Sequence, residues 1–268
     1  MRTVSKAAPA AILAATLAFS PAGAQEAPNT VFLEELTWTE VREKIDAGMT
    51  TAIIATAGHE QNGPHMVLGK HNYIVTAAAE AIAWELGNAL VAPTVTYVPE
   101  GSVENPRGHM SKAGTITLPQ EFFEKLLEYA ARSLVVHGFT DIVMIGDSGG
   151  NQRGMSNVAE MLNAEWGGSA RVHFVGDYYG NNGVQEYLLA QGHTQEQIGS
   201  HAGIVDTSQL WYVAPQHVRP DRFALNGGME DSGVRGDPRL ASVEYGRIGF
   251  RQKVDAALAQ IRSLMGSN

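Results

Sequence analysis

The chain has no cysteine among its 268 residues. No disulfide can staple it, and no thiolate can serve as nucleophile or metal ligand. Basic residues are scarce as well: 19 Lys and Arg face 28 Asp and Glu, a formal net charge of −9. They form no cluster, so a nucleic-acid partner is not expected. No stretch after residue 24 is apolar enough to span a bilayer, so no membrane partner is expected either. There is no internal repeat and no low-complexity tract.

What is present begins with a processing signal. Arg2 and Lys6 form a positive start, Ala7 to Phe19 is an apolar run too short to span a bilayer, and Ala22-Gly23-Ala24 offers small residues for cleavage. Residues 1–24 read as a secretory signal peptide, which predicts a periplasmic or secreted protein. Residues 25–268 then make one α/β domain by length. Losing Arg2 and Lys6 takes the net charge from −9 to −11.

Strand-like and helix-like segments alternate through that domain. Strands are expected at Thr51–Thr56, at Ala89–Val98 broken by Pro93, at Asp141–Ile145 and at Arg171–Val175. Helices are expected after Thr37, whose Thr-x-x-Glu spells a capping box, and over Tyr73–Leu86. Further helices are expected from Thr117-Leu-Pro-Gln120 to about Val136, after the Gly146–Asn151 turn to about Trp166, near Val184–Ala190, and from about Phe250 to Met265. In the Thr117 helix, Phe122, Leu126 and Tyr129 share one face and are expected to be buried. This alternation predicts a three-layer αβα sandwich around a mostly parallel sheet.

The chemistry concentrates just past the first strand. Ala55 to His71 packs Glu60, His59, His65 and His71 among the turn formers Gly58, Gly63, Pro64 and Gly69. Loops at the carboxyl ends of strands collect at one edge of such a sheet. There the Glu60 stretch would meet His109, the turn after Ile145 and the run His201–Ser208, a ligand set suited to a zinc-type ion that activates water. Two other readings stay open. Gly146-Asp-Ser-Gly-Gly150 fits Gly-x-Ser-x-Gly at a strand-to-helix turn, so Ser148 with Asp206 and His217 would make a serine hydrolase. Tyr178, Tyr179, Trp211 and Tyr212 could instead line a pocket that binds a small ring without cutting it.

Glu60-Gln-Asn-Gly-Pro-His65-Met-Val-Leu-Gly-Lys-His71 resembles the signature of the creatininase (creatinine amidohydrolase) family, Glu-Gln-His-Gly-Pro-His-Leu-Pro-x-x-x-Asp. The likeness continues in Gly114–Leu118, Gly149-Gly-Asn151, His201-Ala-Gly-x-x-Asp-Thr-Ser208 and Gly233–Pro238, and covers about residues 31–265. It implies the αβα sandwich, often hexameric, and a two-metal centre hydrolysing C–N bonds of small, often cyclic, amides. Several ligand positions differ here. Asn62 and Ser148 stand where the family has histidines, His71 where it has the bridging aspartate, and Gly150 where creatininase has a glutamate. Of the catalytic pair, His201 matches and Asp206 replaces a glutamate. The resemblance therefore implies a small-molecule amide substrate, with His201 as proton carrier oriented by Asp206. The expected cofactor is one divalent ion, zinc or manganese, held by Glu60, His71 and Asp147. A homo-oligomer, hexameric by resemblance, is the expected assembly. The alternative is a pocket that has lost its metal and binds without catalysis.

Overall fold

A computed structural model describes residues 28–224 and 227–266; the expected signal peptide lies outside the described residues. Four parallel strands form one sheet: β1 (Thr51–Thr56), β2 (Ala89–Val91), β3 (Asp141–Gly146) and β4 (Arg171–Phe174), in the order β2-β1-β3-β4. β1 and β3 pair over their whole length, from Thr51 opposite Asp141 to Thr56 opposite Gly146. Alternate residues serve the two faces. Ile53, Ala55, Val143 and Ile145 point into one apolar core, and Ala52, Ile54, Ile142 and Met144 into the other. The middle of each long strand is covered on both sides and is apolar throughout, while buried Thr51 and Thr56 stand at the two ends of β1.

Eight helices flank the sheet among the described residues. α1 (Trp38–Asp46), α3 (Gln120–Val136) and α4 (Gly149–Trp166) lie on one side, and α2 (Lys70–Leu86) and α8 (Val243–Met265) on the other. α5 (Val184–Ala190), the short α6 (Gln195–Ile198) and α7 (Ile204–Val213) build the rim near the site. The expected αβα sandwich is therefore the observed fold.

Local differences have physical causes. The second strand closes after three residues, because Pro93 interrupts the ladder and only a single bridge from Thr56 to Val95 follows. The Thr37 capping box forms, but the one at Thr117 does not. Thr117 Oγ1 instead accepts the Glu100 N–H at 3.0 Å and donates to the Gly101 carbonyl at 2.9 Å, and α3 starts after Pro119. On α3 the buried residues are Phe123, Leu127 and Ala131, while Phe122, Leu126 and Tyr129 face outward. The helix is apolar on two faces, and periodicity alone could not tell which one meets the sheet. α8 begins seven residues earlier than its amphipathic stripe suggested, at Val243, capped by Ser242. α7 has no counterpart among the expected helices.

The strand order reverses direction between β1 and β3, the place where an open α/β sheet leaves a crevice at its carboxyl edge. Asn151 closes the floor of that crevice. Its amide donates to Thr56 Oγ1 at 3.0 Å and to the Ala57 carbonyl at 2.7 Å, tying the start of α4 to the end of β1.

Candidate metal centre and active-site cavity

A cavity of about 490 Å³ opens at this crevice, lined among others by Glu60, Lys70, His71, Glu100, His109, Asp147, Ser148, His201 and Asp206. All five sequence-expected site residues reach it. The loop from β1 brings Glu60, the first turn of α2 brings Lys70 and His71, the β3–α4 turn brings Asp147, and the entry to α7 brings His201 and Asp206.

Glu60, His71 and Asp147 meet, but as a hydrogen-bonded chain rather than three ligands around one point. His71 Nε2 is 2.8 Å from Glu60 Oε1, and His71 Nδ1 is 2.8 Å from Asp147 Oδ2. Both nitrogens face carboxylate oxygens, so both donate and the ring has no lone pair for an ion. Asp147 is occupied as well: Lys253 Nζ contacts Oδ1, and the Tyr178 hydroxyl donates to the same oxygen at 3.1 Å. Burial opposes ionisation of Asp147, but the Lys253 and His71 charges outweigh it and hold the carboxyl down to about 2. Burial likewise opposes charge on His71, while Glu60 and Asp147 together raise its pKa above the usual histidine value.

A different triad has ligand geometry. One ligand atom each from Glu60, His109 and His201 lie within 4.8 Å of one another. His109 Nδ1 is 3.2 Å from Glu60 Oε2, and His201 Nδ1 is 3.6 Å from Glu60 Oε1. The Gln61 carbonyl lies 2.9 Å from His201 Nε2, which calls for a proton on that nitrogen and leaves the lone pair on Nδ1, turned to Glu60. Burial, with the Lys70 charge nearby, pushes His201 down to about 4; burial also lowers His109. Glu60 is the opposite case. Burial penalises its charge, yet His71 and Lys70 hold its carboxyl well below the usual range. One carboxylate facing two neutral imidazoles is a donor set that fits a single zinc-type ion. A histidine ligand that donates its other nitrogen to a carbonyl is also the usual support for such a ligand.

Asp206 does not touch the His201 ring. Its Oδ2 accepts the Ala202 N–H at 2.8 Å and the Lys70 ammonium at 2.9 Å. Ala202 has φ +53, a left-handed conformation uncommon for a residue with a Cβ. Asp206 therefore orients His201 through the backbone turn between them, and the ring itself is held by Gln61.

Other residues fall into place. Asn62, at a family histidine position, turns its amide onto the carbonyls of Glu60, Val67 and Leu68 at 2.9, 3.2 and 3.3 Å, and folds the loop instead of facing an ion. His65 is buried against Thr207 Oγ1 at 3.0 Å, as a structural histidine. His59 lines a separate surface depression. His217 stacks on Tyr73 with ring centroids 4.2 Å apart and does not line the cavity, so the Ser148-His217-Asp206 arrangement is not assembled. Tyr178 and Tyr179 border the site, whereas Trp211 packs on Phe223 and Tyr212 on Phe250.

Sequence reasoning missed Lys70 and Lys253 as site residues and placed His109 at this edge without including it in the expected Glu60, His71 and Asp147 ligand set. Lys70 sits beside a motif residue and could have been found. Lys253 could not, since nothing in the periodicity of α8 separates it from a solvated lysine.

The Creatininase family model, described as creatinine amidohydrolase, matches residues 34–261. A mycofactocin precursor peptide peptidase from Mycobacterium ulcerans is 26% identical over 83% of this chain and 89% of its own length. A creatinine amidohydrolase from Pseudomonas putida is 25% identical over 72% of this chain and 76% of its own. A solved manganese creatininase shares the fold with a TM-score of 0.72 at 22% identity, covering 87% of this chain and 98% of that one.

Proposed function

The chain belongs to the creatininase family, and from that premise we propose that it is a metal-dependent amidohydrolase cleaving a C–N bond of a small amide. The observation that carries this is the buried Glu60 carboxylate facing Nδ1 of His109 and Nδ1 of His201. Those three residues would hold the ion. When bound, a zinc or manganese ion supplies Lewis acidity and a water acidic enough to attack near neutral pH. Lys70 and His71 fix Glu60 from behind, and Asp206 fixes the turn that presents His201. Gly149 and Gly150, the first residues of α4, and the N-cap residue Ser148, whose hydroxyl makes no capping hydrogen bond, line the same cavity, and a helix start of this kind suits a substrate carbonyl oxygen.

With Nε2 engaged by Gln61, His201 has one nitrogen left. It can ligate or shuttle a proton, not both, and the geometry supports ligation over the proton-carrier role read from sequence. Elemental analysis of protein purified without chelator, for the wild type and His109→Ala, tests the assignment. Metal in the wild type and its loss in the variant are expected. A metal-free wild type that still binds a small amide without cleaving it would favour the non-catalytic reading.

A specific observation supports a second substrate, a peptide. A neighbouring cavity of about 480 Å³ shares Asp147, Tyr179, Ser200, His201 and Asp206 with the first, and is lined by Asn181, Asn182, Gln185, Gln195 and Gln209. Amide side chains along a groove suit a peptide backbone, and one relative is named a precursor peptide peptidase. Parallel assays on a cyclic amide and on short peptides separate the two.

The protein is further proposed to be exported and to form a homo-oligomer, a hexamer by family resemblance. Supporting assembly, Phe122, Leu126, Tyr129 and Val136 line one outward face of α3 with exposures of 59, 40, 61 and 81%. Beside it Lys125 and Arg132 pair with the buried Glu128, and Arg132 also with Glu165, so the support for assembly is the apolar row itself.

A further inference from the structure

Of the four carboxyl groups lining the cavity, Glu100 is pushed up to about 10 by burial and the neighbouring Glu60, and each of the other three already has a cation belonging to the chain. Glu60 has His71 at 2.8 Å and Lys70 at 3.8 Å. Asp206 has Lys70 at 2.9 Å. Asp147 has His71 at 2.8 Å and Lys253 in direct contact. Lys70, His71, Lys253, Glu60 and Asp147 are all buried. Buried carboxylates persist only where something pairs them, and a divalent ion is the commonest way to pair several at once. Here ammonium and imidazolium groups do that work at the Asp147 end.

Lys253 is held for the purpose. Its Nζ lies 4.4 Å from the centroid of the Tyr178 ring and 3.4 Å from Gln209 Oε1. It reaches Asp147 because α8 crosses α7 with almost no clearance: a Cβ on Gly246 would stand 1.9 Å from the Ser208 carbonyl oxygen, and one on Gly249 3.2 Å from the Gln209 amide. Gly246, Gly249 and Lys253 follow one another along one helix face. The close crossing therefore aims the lysine at the site.

We propose that Lys253 is a built-in cation that occupies Asp147 and bars a second divalent ion from the Asp147–His71 end, so that the site holds one ion per chain. The inference rests on the metal reading above. The Lys253 ammonium on Asp147 competes with any added cation for the same oxygens, while at the Glu60–His109–His201 locus His71 and Lys70 face Glu60 Oε1 and leave Oε2 to His109.

The test counts ions. Wild type, Lys253→Met and Lys253→Arg are equilibrated with zinc, and stoichiometry is read by elemental analysis and native mass spectrometry, with circular dichroism checking the fold. One zinc is expected for the wild type and for Lys253→Arg. Two are expected for Lys253→Met, with affinity at the second locus raised at least about tenfold over wild type. One zinc in both wild type and Lys253→Met would overturn the role of Lys253 while leaving the metal site standing. No zinc in the wild type overturns both. If Lys253→Met does not fold, the wild type alone still decides: a second zinc bound at micromolar concentration refutes the proposal, and saturation at one supports it.

Discussion

His65 and His201 are both buried imidazoles with pKa values pushed down to about 4, chiefly by burial. One holds the fold and the other faces the cavity, and the difference lies in what each ring touches. His65 bonds Thr207 and packs edge-on against Phe223, with no access to the cavity. Its lowered pKa makes a stability prediction. Below its ordinary pKa of 6.5 the unfolded chain takes up a proton that the native state refuses until about 4. Stability should therefore fall as pH drops from 6.5 towards 4, by up to about 3 kcal/mol. Denaturant unfolding across that range should show the loss, and His65→Gln should reduce it while leaving the part that His201 contributes; parallel curves would count against it. At the site, His201→Ala should lose metal and activity together. Retained metal with kcat down by roughly two to four orders of magnitude would restore the proton-carrier role. Asp206→Ala keeps every ligand but frees Lys70 and the Ala202 turn, so metal affinity should fall about 10–100-fold, measurable by competition with a chelating dye.

Among elements, α3 and α8 show how a helix can carry more than one instruction. α3 buries Phe123, Leu127 and Ala131 and leaves a second apolar row outside. Placing a charge there, in Leu126→Glu, should leave the far-ultraviolet spectrum unchanged and shift the assembly to a smaller species in sedimentation. An unchanged sedimentation coefficient would remove α3 from the interface. α8 depends on its glycines. Gly246→Ala sets a methyl against the Ser208 carbonyl, which is backbone and cannot turn aside, so α7 and α8 must separate. A loss of about 1–3 kcal/mol is expected on thermal or chemical unfolding. α4 carries a similar constraint where it lines the cavity, since a Cβ on Gly150 would lie 2.5 Å from the Pro99 carbonyl oxygen.

For the whole molecule, the proposed export and assembly reach beyond the fold. If residues 1–24 are removed, mass spectrometry of the exported protein should show a chain beginning at Gln25. An intact Met1 in that fraction would refute the cleavage. Among the described residues no helix is long and apolar enough to cross a membrane.

Read from the sequence alone, the parallel sheet was determined by the apolar runs Ala52–Ala55 and Ile142–Ile145, because the middle of a strand buried on both faces favours apolar residues on each side. Spacing and family likeness placed Glu60, His71, Asp147, His201 and Asp206 at one edge, since loops after parallel strands gather there whatever their content. Which of them could face an ion was decided only in three dimensions. His71 became a bridge between two carboxylates, and His109 took its place beside Glu60, from a loop some forty residues further along the chain. Lys253 arrived from the last helix through a glycine-lined crossing that no local pattern encodes. A side chain's charge is written in the sequence. The oxygen it neutralises depends on how closely two helices can pack, and only the folded chain decides that.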